Sequence, residues 1–104
     1  MQRINIDITG EGPHNVISPS AGKKFLISSC LMTFAHALPE SQPVTFLSGS
    51  TILYGPYLVY DGEKLLWERD PNQTFDIKAG EAFRIQMAAG VRCGATIEYE
   101  IGVW

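Results

Sequence analysis

Histidine and cysteine, the side chains most often recruited to hold metals or to carry covalent chemistry, occur only twice each in this 104-residue chain. No Cys-x-x-Cys pair is present, nor a His-x-His or His-Glu-x-x-His spacing, so the local patterns of a structural or catalytic metal site are missing. His14 follows Gly-Glu-Gly-Pro in an expected loop and His36 sits between Ala35 and Ala37, which reads as two structural or solvent-facing histidines. The Gly-x-Ser-x-Gly elbow of serine hydrolases and the Gly-x-x-x-x-Gly-Lys phosphate loop are also absent. Neither a catalytic residue nor a metal or other cofactor is assigned from these patterns.

Basic charge is scarce too. Eight Lys and Arg stand against eleven Asp and Glu, a net charge of −3, and apart from Lys23-Lys24 the basic residues are scattered. Binding to a phosphate backbone or an anionic membrane needs clustered cations, so neither nucleic acid nor a membrane surface is expected as a partner. The opening Met1 to Ile8 has polar residues and an acid where an export signal needs an apolar stretch, and no window approaches a membrane span. These features predict a soluble chain made in the cytoplasm, where Cys30 and Cys93 stay reduced as buried thiols. A disulfide between them remains open, depending on whether the fold brings them together.

What the sequence does have is alternation. Ile4, Ile6 and Ile8 alternate with Asn5, Asp7 and Thr9, Phe83, Ile85 and Met87 with Arg84 and Gln86, and Ile97, Tyr99 and Ile101 with Glu98 and Glu100. A period of two is the mark of a strand with one buried face. Shorter runs rich in aromatic and β-branched residues lie at 44–47, 51–54, 57–60, 64–68 and 74–77, separated by turn residues. Asp61-Gly62 suits a tight hairpin, while Asp70-Pro71-Asn72, Lys78 to Glu81 and the Gly90 to Gly94 region supply further turns. Residues 23–38 have no Gly or Pro and are apolar on more than one side. A helix of about three turns is open there, but Phe25, Ile27, Ser28, Ser29 and Thr33 are mediocre helix formers, which favours a strand. Altogether this predicts an all-β chain, an antiparallel jelly-roll-like β-sandwich of about eight strands forming a single domain.

Two residue groups remain as candidates for function. Glu98 and Glu100 share one strand face about 7 Å apart, but paired acids on a sheet are commonly just a solvated face that discourages edge pairing. Tyr54, Tyr57 and Tyr60, with Trp67 and Trp104, could form an interface or stack on a sugar ring. Tyr57 and Tyr60 fall on opposite faces of a strand, so no single platform can hold all of them. Together with Ile4, Ile6 and Ile8, whose strand could add to a partner sheet, Tyr54, Tyr57, Tyr60 and Trp104 are the interface candidates.

Four phrases also line up in order: Ala21 to Ile27 beginning Ala-Gly-Lys-Lys, Val44 to Pro56 containing Thr-Phe-Leu-Ser-Gly-Ser-Thr, Ala79-Gly80-Glu81 leading into Phe83-Arg84-Ile85, and Gly94 to Tyr99. In that order they resemble the small β-sandwich structural proteins of tailed-phage virions over roughly residues 15 to 101. The resemblance implies a non-enzymatic virion component made in the host cytoplasm, such as a capsid decoration protein, a head fibre component or a tail accessory module. Its partners would be other virion proteins, the capsid protein first, and it would act as a homo-oligomer. Residues 1–13 have no counterpart in that pattern and would be an extra strand or an arm swapped onto a neighbour. A carbohydrate- or receptor-binding module of a tail fibre is the alternative role.

Overall fold

The computed structural model describes residues 2–18, 21–69 and 75–102. These contain nine strands and no helix: β1 (Gln2–Thr9), β2 (Gly12–Ile17), β3 (Lys24–Ala35), β4 (Gln42–Ser48), β5 (Thr51–Val59), β6 (Lys64–Glu68), β7 (Phe75–Ile77), β8 (Phe83–Met87) and β9 (Arg92–Gly102). All pairings are antiparallel. One sheet runs β1-β9-β3-β6 with β7 also on β3, and the other runs β2-β8-β4-β5. The two pack face to face over one apolar cluster, in which Phe34, Phe46, Phe83, Ile27, Ile77, Ile85 and Ile97 are fully buried.

There are nine strands against about eight expected, with 64–68 and 74–77 separate as expected and the differences lying at β2 and β5. β6 lies against Ser29 to Thr33 and β7 against Phe25 to Ile27, so the two share one side of β3. The stretch around His14, expected as a loop, is strand β2, with Pro13 tolerated because β2 is at an edge. Conversely, the runs 51–54 and 57–60 belong to the single strand β5, which carries a cis Gly55-Pro56 peptide and ends at Val59. The expected turn Asp70-Pro71-Asn72 lies outside the described residues.

Residues 24–35 form a strand, and its mixed apolar pattern has a local origin. The register against β9 slips at Ser28, so Phe25 and Ile27 point inward before the slip and Cys30, Met32 and Phe34 after it. One extra residue shifts the phase of alternation, and the sequence therefore looks apolar on both sides. β1 pairs with β9 of its own chain at eight successive positions without a slip, turning Ile4, Ile6 and Ile8 toward the core.

Candidate functional site

Six of the seven interface candidates lie among the described residues, and they separate into three environments. Ile4, Ile6 and Ile8 are half-buried against the core, so their apolar faces are largely used within the chain. Tyr54 and Tyr57 are also half-buried, with rings stacked at 4.7 Å and 21°. Tyr57 additionally meets Phe46 edge-on at 6.0 Å. Tyr60, just beyond β5, is 59% exposed. Trp104 lies outside the described residues.

Three positions apart on a regular strand, Tyr54 and Tyr57 would point to opposite faces. They share a face because β5 bulges: Tyr57 is opposite Val44 and Tyr54 opposite Phe46, leaving two residues of β5 across from one of β4. Gly55, at φ +108°, makes this possible, since a Cβ there would sit 2.8 Å from the Val44 carbonyl oxygen. Burial, followed by a hydrogen bond with Tyr54, pushes the Tyr57 phenol above its ordinary range. Next to this pair, between β6 of one sheet and β4–β5 of the other, lies a cavity of about 120 Å³ lined by Met32, Phe46, Tyr57, Leu65, Trp67 and Glu68.

Other side chains are committed to structure. Ser48 is 1% exposed; its hydroxyl donates to Glu81 Oε2 at 2.6 Å and accepts from the Lys78 amide at 3.0 Å. Gly49, in the same turn, donates its amide to the Ala82 carbonyl. The Ser-Gly-Ser-Thr and Ala-Gly-Glu phrases are therefore two neighbouring turns interlocked where β4 ends and β8 begins, each completing the hydrogen bonding of the other. His36 is a brace: Nε2 lies 3.0 Å from the Val59 carbonyl and Nδ1 accepts from the Leu38 amide at 3.2 Å, which fits a proton on Nε2. His14 places Nε2 at 3.0 Å from the Gly10 carbonyl.

Cys30 faces Ile97 and Cys93 faces Phe34, four positions apart along paired strands. That is about 13 Å at the rise of a strand, too far for a disulfide. Both thiols are buried and free, and burial pushes each up to about 12. Thiols so protonated are poor nucleophiles.

The outer face of the β1-β9-β3-β6 sheet is a polar lattice. Arg92 donates from Nε and Nη2 to the two oxygens of Asp7 at 2.9 and 2.6 Å, and this hydrogen bonding holds the Asp7 carboxyl below the usual carboxylate range. Thr96 donates to Asn5 at 2.8 Å, while Glu98 accepts from Ser29 at 3.3 Å and pairs with Arg3 at 3.5 Å. A shallow trough beside Gly94 is bordered by Asp7, Arg92, Thr33 and Ala35. Within this polar field Leu31 and Leu66 stand opposite one another, 51% and 63% exposed. Ile52 and Leu58, on β5, are comparably exposed. The sequence reading concentrated on aromatics and missed these four aliphatic residues. For Leu31 and Leu66 a signal was present, since both are apolar residues in phase with polar neighbours, Ser29 and Thr33 or Lys64 and Glu68.

Among the described residues, no group of three or more His, Cys, Asp or Glu side chains is placed to hold a metal. The fold and these surfaces define the chain as an all-β protein of two packed antiparallel sheets, whose polar side chains brace turns and strand rows. No protein-family model matches the chain, and no curated protein or solved structure matches it.

Proposed function

We propose that this protein is a non-enzymatic structural component of a virus particle, a capsid decoration or accessory protein that docks as oligomeric copies on an assembled protein shell. The observation that carries this reading is the order of pairing. With β6 and β7 counted as halves of one edge strand, the first strand pairs with the last, β2 with β8, β3 with β6 and β7, and β4 with β5. A long antiparallel hairpin rolled into two sheets gives this nesting, which is the jelly-roll plan met in viral capsid proteins, lectins and cupins. The metal-dependent enzymes among these need clustered histidines, whereas His14 and His36 contact backbone groups of their own chain.

Docking would use the exposed aliphatic residues and Tyr60, since a standard protein contact buries about 1,600 Å² in total around an apolar centre. The protein would be made in the host cytoplasm and end in the virion. Mass spectrometry of gradient-purified particles from the source of the gene should find the chain at stoichiometric copy number. Recovery only in the soluble fraction would overturn the proposal. The trough beside Gly94 favours a second reading, a carbohydrate-binding module of a tail fibre, because polar groups around a gap of this kind can seat a sugar ring. Saccharide binding on a glycan array that is lost in Asp7→Ala would select it over shell docking.

A further inference from the structure

We propose that β1 is the seam of a two-fold dimer, in which a second copy of this chain adds its own β1 antiparallel along the free edge. A sheet edge exposes unpaired amides and carbonyls, and proteins usually blunt such edges with proline, bulges or short strands. Three of the four edges here are blunted. β5 has two register slips and Pro56, β2 has Pro13 and a slip after Asn15, and the β6/β7 edge is split into pieces of five and three residues. β1 is different: eight residues, without proline or a register slip.

The backbone phase of β1 is fixed by one bond, from the Gly10 amide to the Val91 carbonyl at 3.0 Å. Along an antiparallel strand, alternate residues turn both N–H and C=O to the same side. Gln2, Ile4, Ile6 and Ile8 therefore address β9, and Arg3, Asn5, Asp7 and Thr9 offer their backbone groups outward.

Charge then selects the register. In a two-fold antiparallel pair the residues opposite each other must lie on the same sheet face. Centring the axis on Asn5 places Arg3 opposite Asp7 of the second copy, twice, with Asn5 opposite itself and Ile4 opposite Ile6. Moving the axis to Ile4 puts Arg3 opposite Asn5, and moving it to Ile6 puts Asp7 opposite Asn5, so neither shift joins opposite charges. Arg3 and Asp7 already pair within their own chain, with Glu98 and Arg92, yet their side chains are 67% and 56% exposed and so accessible to a second opposite charge across the seam. The Asn5-centred pairing would also cover the half-buried flanks of Ile4 and Ile6, extending the core across the seam. Such an interface is isologous and closes on itself, so it stops at two copies.

This inference rests on the oligomeric part of the proposed function and is independent of shell docking. Analytical ultracentrifugation over a concentration series should carry the mass from 11.5 kDa toward twice that value. Asn5→Pro deletes an amide that faces outward, so the variant should keep its circular dichroism spectrum and lose the dimer at every concentration. Asn5→Cys should cross-link to itself on mild oxidation, because directly opposed residues lie about 5.5 Å apart, whereas Thr9→Cys should not. The Cys pair decides the matter even where Asn5→Pro fails to fold. A strictly monomeric wild type, an undiminished dimer in Asn5→Pro, or cross-linking at Thr9 instead of Asn5 would overturn it. A dimer with these properties in a protein absent from particles supports the seam and sinks only the particle role, while a particle-bound monomer does the reverse.

Discussion

β1 and β5 each close one edge of a sheet, yet they are built on different rules. β1 is regular over eight paired positions, with isoleucines inward and polar residues outward. β5 slips register twice against β4, bends at Gly55-Pro56, and keeps Tyr54 and Tyr57 on one side. A regular edge conserves the alternation of its sequence and leaves its outer backbone open to pairing. An irregular edge gives up alternation, and gains both resistance to edge pairing and an aromatic stack against the core.

The comparison can be broken by substitution. The largest effect is expected beside β5: Phe46, 1% exposed and packed against Tyr57 and Phe83, should cost about 3–5 kcal/mol when changed to Ala. Ile6→Ala on half-buried β1 should cost about 1–2 kcal/mol, because only part of a full Ile burial is lost. Urea unfolding would measure both, and an equal loss would mean that the two edges are supported alike. Next comes Gly55→Ala, which forces a Cβ into positive φ and toward the Val44 carbonyl, at a cost of about 2–3 kcal/mol. A thermal melt indistinguishable from wild type would show that the bulge tolerates a side chain.

Ser48→Ala, at the turn leading into β5, should cost about 1–3 kcal/mol by stranding the Lys78 amide and the Glu81 carboxylate. The smallest effect belongs to β1. Asp7 has a folded-state pKa below its unfolded one, so its contribution is present above the unfolded value, near 4, and is lost as pH falls through the folded value. Melting curves of wild type and Asp7→Asn should therefore differ slightly at neutral pH and converge in acid. Added salt should narrow the gap, since Asp7 and Arg92 are both exposed. A gap that widens on acidification would contradict the sign of this linkage.

The same contrast explains what could be read from the sequence. Where register is regular, as along β1, β8 and most of β9, a period of two in the side chains identified both the strand and its inward face. Where a bulge intervenes, at Ser28 in β3 or at Gly55 in β5, the phase changes mid-strand and the pattern resembles a helix or two separate runs. The stacking of Tyr54 on Tyr57 depends on that phase change, which a spacing of three residues does not reveal. Long-range hydrogen bonds were illegible for another reason. Nothing near Ser48 indicates that its partner is Glu81, because the two turns meet only when β4 pairs with β8 and sets Ser48 opposite Phe83. The separation of Cys30 and Cys93 likewise follows from strand register, which cysteine spacing does not encode.

β9, the final strand in the described chain, is not at the rim of its sheet but between β1 and β3. A ribosome delivers β1 well before β9, so the first strand has no neighbour in its sheet until β9 has been made. At typical elongation rates that wait is on the order of ten seconds, during which the inward isoleucines of β1 and the apolar side of β3 lack their cover. Pairing of β1 is thereby postponed until β9 is made, and a nascent chain stalled before Arg92 would hold β1 and β3 without the strand that joins them.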